Sequence, residues 1–145
     1  MTRSAISRTW PNDFTGLPHL EGGRSRSGCD CLGLARVIYA EMLGIALPDY
    51  QGGVCPEEHA EIDARIVGEA VSPYWRQIAR GHERAFDLVV FRRGAWLRHI
   101  GVVVEPGLMI HAAPPGDSAL CRYDRGAWSG RFAGLHRHVR MEGRG

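Results

Sequence analysis

The chain has 145 residues, 44% of them hydrophobic and 23% charged, the size and make-up of one ordinary globular domain. That composition excludes a disordered chain, a collagen and a coiled coil, and no apolar run approaches the roughly 20 residues a membrane helix needs, so no membrane insertion is expected. Net charge is only +2 but unevenly spread, with nine arginines against four acids over residues 91–145. This basic third could face an acidic partner, although a solvated arginine surface is the plainer reading, and no nucleic-acid partner is expected.

The first ten residues are polar and carry Arg3 and Arg8, with no apolar stretch behind them, so no signal peptide and synthesis in the cytosol are expected. No repeat or long linker divides the sequence, and residues 1–145 read as a single domain. Residues 22–28 are glycine- and serine-rich and read as a loop ending at Asp30, a good helix-capping residue. Apolar Leu34, Val37, Ile38 and Leu43 at helical spacing predict a helix over 31–43, with Gly44 as its stop and Cys31 in its first turn. A second helix is expected from Pro56, with Ile62, Ile66 and Val67 inward, and a short third one from Ser72-Pro73 to Ala79. Residues 86–91, 99–104 and 108–112 are short, apolar and β-branched, and read as strands; 120–123 and 132–139 are weaker strand candidates. Helices first and strands afterwards predict an α+β domain with N-terminal helices packed on an antiparallel sheet.

Four cysteines are present, and in a cytosolic product they are expected to be reduced; whether Cys55 and Cys121 pair stays open. Cys31 stands out, because a thiol at a helix N-terminus or beside a histidine is expected to lose its proton more readily and attack carbonyls. Among seven histidines, His99 and His111 each fall in a predicted strand on either side of Glu105-Pro106-Gly107. An odd-length loop centred on Glu105 would set the two face to face; a two-residue turn at Pro106-Gly107 would set them on opposite faces. In the first register, Cys31, His99 and His111 form a nucleophile, a base and a group that orients the base. A zinc site from Cys29, Cys31, His99 and His111 is the rival use, weakened by a one-residue Cys-x-Cys spacer.

At this point the residues resemble a known family. Asp30-Cys31-Leu32-Gly33-Leu34 is similar to the nucleophile motif of NlpC/P60 cell-wall peptidases. Leu47-Pro48 with Gln51, the Asp87-Leu88-Val89-Val90-Phe91 strand, His99-Ile100-Gly101-Val102 and Met109-Ile110-His111-Ala112 follow in that family's order and spacing. The resemblance implies a papain-like fold with catalytic Cys31, His99 and His111, no cofactor or metal, and a peptidoglycan stem peptide as substrate, cut between γ-D-glutamate and diaminopimelate. It also implies an oxyanion and substrate region around His19 and Asp30. Many members have a tyrosine where this chain has His19, a departure that bears on the electrophilic part of the site. Another is Phe86, where the family has a glycine; it reads as a packing residue. Residues 29–36 further resemble short peptidases of phage-tail and gene-transfer-agent clusters, which implies carriage on a tail, tail or hub proteins as partners, and action at the cell wall or in the periplasm. Arg131, Arg137 and Arg140 are then a candidate docking face. A tail component with weak or lost catalysis, and acyl transfer on the same thiol scaffold, are the alternatives.

Overall fold

The structure, a computed structural model, describes residues 9–47, 74–93, 96–113 and 116–141. A one-turn 3-10 helix, Trp10–Phe14, leads into a small hairpin of β1 (Arg24–Ser25) and β2 (Gly28–Cys29) and then into helix α1 (Cys31–Ile38). The remaining strands form one antiparallel sheet: β3 (Trp75–Ile78), β4 (Leu88–Arg93), β5 (Trp96–Glu105), β6 (Leu108–His111), β7 (Ala119–Arg122) and β8 (Phe132–His138). Their order across the sheet is β3-β8-β4-β5-β6-β7. The expected α+β architecture is present, and the second expected helix falls outside the described residues.

Helix α1 starts where Asp30 caps it and runs in the expected direction, but its last turn, Tyr39–Leu43, widens to π spacing before Gly44 ends it in a left-handed conformation at φ 67°. Leu34 and Ile38 pack with Leu88, Val90, Ile100, Val102 and Ile110 on one face of the sheet. Val89, Phe91, Val103, Met109 and Leu135 fill a second core on the other face. Strand β4 is therefore buried on both sides, which is why residues 88–91 read as an unbroken apolar run rather than an alternation.

The expected third helix is corrected to strand β3, which pairs with β8 from Trp75↔His138 to Ile78↔Leu135. Trp75 and Ile78 are three apart, a helical spacing, but in a strand that interval points to opposite faces. Trp75 joins the helix-side core and Ile78 the other, so the segment serves both faces of the sheet.

Phe86 carries more than packing. It stands in the left-handed region at φ 76°, the conformation that favours glycine. Its ring is buried and stacks on Trp10 with centroids 4.5 Å apart, and its carbonyl accepts the Tyr39 hydroxyl in a short hydrogen bond. Left-handed backbone costs an ordinary residue about 1–2 kcal/mol, whereas emptying a buried phenylalanine site costs about 3–5 kcal/mol. Phe86→Gly should therefore destabilise by a net ~1–4 kcal/mol in urea unfolding; a more stable variant would show that strain outweighs packing here.

Candidate active site

Asp30 builds the start of the helix. Its Oδ1 accepts the Gly33 N–H at 2.7 Å and its Oδ2 accepts the Gly22 N–H at 3.0 Å, so one carboxylate ties the glycine loop to the first helical turn. The fit is close: a Cβ on Gly33 would lie 1.9 Å from the Gly23 carbonyl oxygen. Asp30, grouped with His19 from the resemblance, thus spends both oxygens on holding Cys31 in place. Cys31 is partly buried against the helix-side core, which also holds Ile100, the residue next to His99, and the nearby backbone N–H of Ile100 favours the thiolate.

The histidine pair meets, by a route the sequence does not show. The β5–β6 hairpin closes with Glu105 opposite Leu108, a two-residue Pro106-Gly107 turn that alone would put the histidines on opposite faces. A bulge between Val103 and Glu105 inserts one extra residue and restores the parity, with Val103 opposite Met109 and Val102 opposite Ile110. Continued outward, that register sets His111 opposite Gly101 and diagonal to His99, so the directly opposed arrangement is corrected to a diagonal one. The rings still touch: His99 Nε2 lies 2.7 Å from His111 Nδ1, with centroids 4.9 Å apart. His99 Nδ1 takes no part in that bond.

Burial sets the electrostatics. It pushes His99 down to about 3, assisted by His111, Arg131 and His19, and pushes His111 down to about 4. Both rings are neutral at physiological pH. His19 reaches this neighbourhood because it forms a parallel bridge with Cys29. The expected easy loss of the Cys31 proton is corrected: burial, then the neighbouring Asp30 carboxylate, push the thiol up to about 12, and the surrounding N–H groups offset only part of this. The cap that starts the helix also places a negative charge beside the thiol. The resting pair is therefore a neutral thiol and a neutral imidazole. Alkylation of Cys31 by iodoacetamide should accordingly keep rising with pH up to at least about 10; a plateau from near pH 6.5 would indicate a resting thiolate instead.

Trp128 is the site residue the sequence reading missed. Its indole stacks on His99 with centroids 4.6 Å apart and planes 24° apart, and meets His111 edge-on at 5.3 Å. The one signal was a tryptophan alone in a glycine-flanked loop. Of the three arginines expected to form a docking face, Arg137 is instead buried in a bidentate pair with Asp87, and the Arg131 guanidinium lies over the Trp128 ring. Among the described residues, no three histidine, cysteine or acidic side chains are placed to hold a metal ion, and Cys29 is fully buried.

A helix that starts at a cysteine, packed on an antiparallel sheet that carries a histidine pair, defines the chain as a papain-like α+β domain. The sequence model of the NlpC/P60 family matches residues 16–137, and the chain belongs to that family. Murein DD-endopeptidase MepS/Murein LD-carboxypeptidase of Escherichia coli is similar at 25% identity over 120 residues, covering 83% of this chain and 55% of that protein. The chain thus spans about half the length of this curated relative. Among solved structures, an NlpC/P60 family protein from Bacillus cereus matches 88% of this chain and 37% of its own, with a TM-score of 0.63 and 21% identity. The NlpC/p60 domain of the peptidoglycan hydrolase SagA matches 96% of this chain and all of its own, with a TM-score of 0.58 and 19% identity. These two likenesses show the fold.

Proposed function

We propose that the chain is a cysteine peptidase that hydrolyses an amide bond of peptidoglycan stem peptides, the bond between γ-D-glutamate and diaminopimelate. The observation that carries this reading is the 2.7 Å hydrogen bond from His99 to His111, in a strand whose next residue, Ile100, shares the helix-side core with Cys31. With His99 Nε2–H donating to His111 Nδ1, the lone pair on His99 Nδ1 is left to act as base. Cys31 sulfur attacks the carbonyl carbon while its proton passes to His99, and the collapsing tetrahedral intermediate expels the amine, which takes that proton back. Water, deprotonated by His99, then cleaves the thioester and frees the carboxylate product and the thiol. The Cys31 backbone N–H and the His19 side chain are the proposed oxyanion donors. A neutral resting pair suits this scheme, because the proton moves as the bond forms.

The proposal extends to setting: carriage on a phage-like tail that meets the cell wall, supported by the likeness of residues 29–36 to tail-encoded peptidases. With Arg137 buried, the docking face in the arginine-rich C-terminal third keeps Arg131 and Arg140 of its three named arginines. Digestion of purified sacculi followed by mass spectrometry tests the reaction. Wild type should release fragments ending in γ-D-glutamate, and Cys31→Ala should release none. Fragments cut at D,D- or L,D-bonds instead would keep the peptidase and replace the bond, and inert wild type would favour a structural tail component. Purified particles that contain this chain would support the setting, and its presence only as free protein would oppose it.

A further inference from the structure

The proposed reaction uses Cys31, His99, His111 and His19, and Trp128 has no task in it. We infer that Trp128 is a positioning residue: its indole covers the His99–His111 hydrogen bond, fixes the plane of the base and keeps water from the bond. The inference rests on the peptidase reading of the same site.

Four contacts hold the indole in place. Its face lies on the His99 ring at 4.6 Å and 24°, while its plane stands at 90° to His111. A third contact meets Phe91 at 5.0 Å and 60°, and Phe91 pairs across the sheet with His99 itself. The fourth is the Arg131 guanidinium, 5.1 Å from the ring centroid. The backbone is tied just as firmly. Gly126 turns with a positive φ of 76°, Arg131 N–H donates to the Trp128 carbonyl at 3.0 Å, and Phe132 then enters strand β8 opposite Phe91. Tryptophan is therefore braced between a turn and the strand neighbouring β4, with a flat face on the base.

Such a brace has a chemical consequence. An imidazole turns about two side-chain torsions, and only one ring orientation aims Nδ1 outward while Nε2 bonds His111. A stacked aromatic face fixes that orientation with little further ordering to be lost at reaction. It also keeps the 2.7 Å bond in a poorly solvated setting, where exchange of His111 for water would otherwise compete. Removing the face should admit water, loosen the base and let the pair gain a proton more easily.

The test compares Trp128→Leu, which keeps apolar bulk without a flat face, with Trp128→Phe, which keeps the face. A soluble muropeptide gives kcat and KM, and nitrogen-15 histidine NMR follows the ring titrations. The groups facing the base are His111 on β6, Arg131 after the turn, His19 and the Cys31 thiol, and all stay unchanged in both variants. In Trp128→Leu, kcat should fall by about 100-fold, the scale of a small misplacement of a catalytic group, with KM nearly constant. His99 and His111 should then titrate closer to the ordinary value near 6.5. Trp128→Phe should recover most of kcat and keep both histidines neutral to lower pH. A folded Trp128→Leu protein with wild-type kcat and unchanged titrations would overturn the inference. So would a Trp128→Phe protein whose histidines titrate at the ordinary value, and that result decides even where Trp128→Leu does not fold. Wild type without hydrolysis would defeat the peptidase reading alone, because the NMR titrations still report whether Trp128 holds the pair.

Discussion

His99→Asn should abolish hydrolysis of sacculi almost completely, by about 1,000-fold or more, while His111→Asn or His111→Gln should keep activity within about 10-fold of wild type. The asymmetry follows from the bond between the rings. His99 must accept the thiol proton and return it to the leaving amine, and no amide can do that near neutral pH. His111 needs only to accept a hydrogen bond from His99 Nε2–H, and an amide oxygen can accept as well as an imidazole nitrogen. The neutral state of His111, held by burial down to about 4, agrees with an accepting role. Initial rates on a soluble muropeptide, with thermal melts to verify folding, give the comparison. Equal damage from the two positions would show that His111 also handles the proton.

The largest expected effect on stability lies away from the site. Asp87→Ala should cost about 3–5 kcal/mol, the penalty of leaving a buried guanidinium without the carboxylate that faces it. Arg137 reaches Asp87 through Nε and Nη2, each at 2.8 Å, and Nη2 also donates to the His82 carbonyl at 3.0 Å. Asp87 is 1% exposed and accepts the Arg84 N–H as well, so its loss removes three hydrogen bonds. The pair joins the residue that leads into β4 to the C-terminal end of β8, two neighbouring strands of the sheet that carries the histidines. Urea unfolding of Asp87→Ala, and of Asp87→Leu combined with Arg137→Met, separates the contributions. The double variant should recover much of the loss, because well-packed apolar replacements of a buried pair are often close to neutral. A loss below about 1 kcal/mol in Asp87→Ala would mean that solvent reaches and screens the guanidinium.

Much of this architecture was legible because the decisive signals are local. Asp30 before Cys31 marked a helix start, and the helix starts there. Five strand candidates at 86–91, 99–104, 108–112, 120–123 and 132–139 each found a partner in one antiparallel sheet, with ends shifted by a few residues. What escaped depends on contacts distant in sequence. Hairpin β1–β2 has two residues per strand, too few to show any alternation. Strand β3 hid because Trp75 and Ile78 answer to different cores. The histidine register depended on a bulge of one residue near Val104, which no pattern of hydrophobicity encodes. Reading the site as a nucleophile and two histidines left out Trp128, because its partners lie 29 and 17 residues away in sequence on other strands. The thiol was misjudged for a related reason: a helix start lowers a thiol pKa, but burial and the Asp30 charge are three-dimensional facts that reverse the sign.

The proposed hydrolysis requires Cys31 to act as the nucleophile, with His99 as its base. A stem-peptide ester with a chromogenic leaving group, mixed with excess enzyme and quenched in acid, allows the acyl-enzyme to be located by peptide mapping. The acyl group should sit on Cys31 in wild type, accumulate far more slowly in His99→Asn, and be missing from Cys31→Ala. An adduct on Cys29 or Cys121, or undiminished turnover by Cys31→Ala, would contradict it.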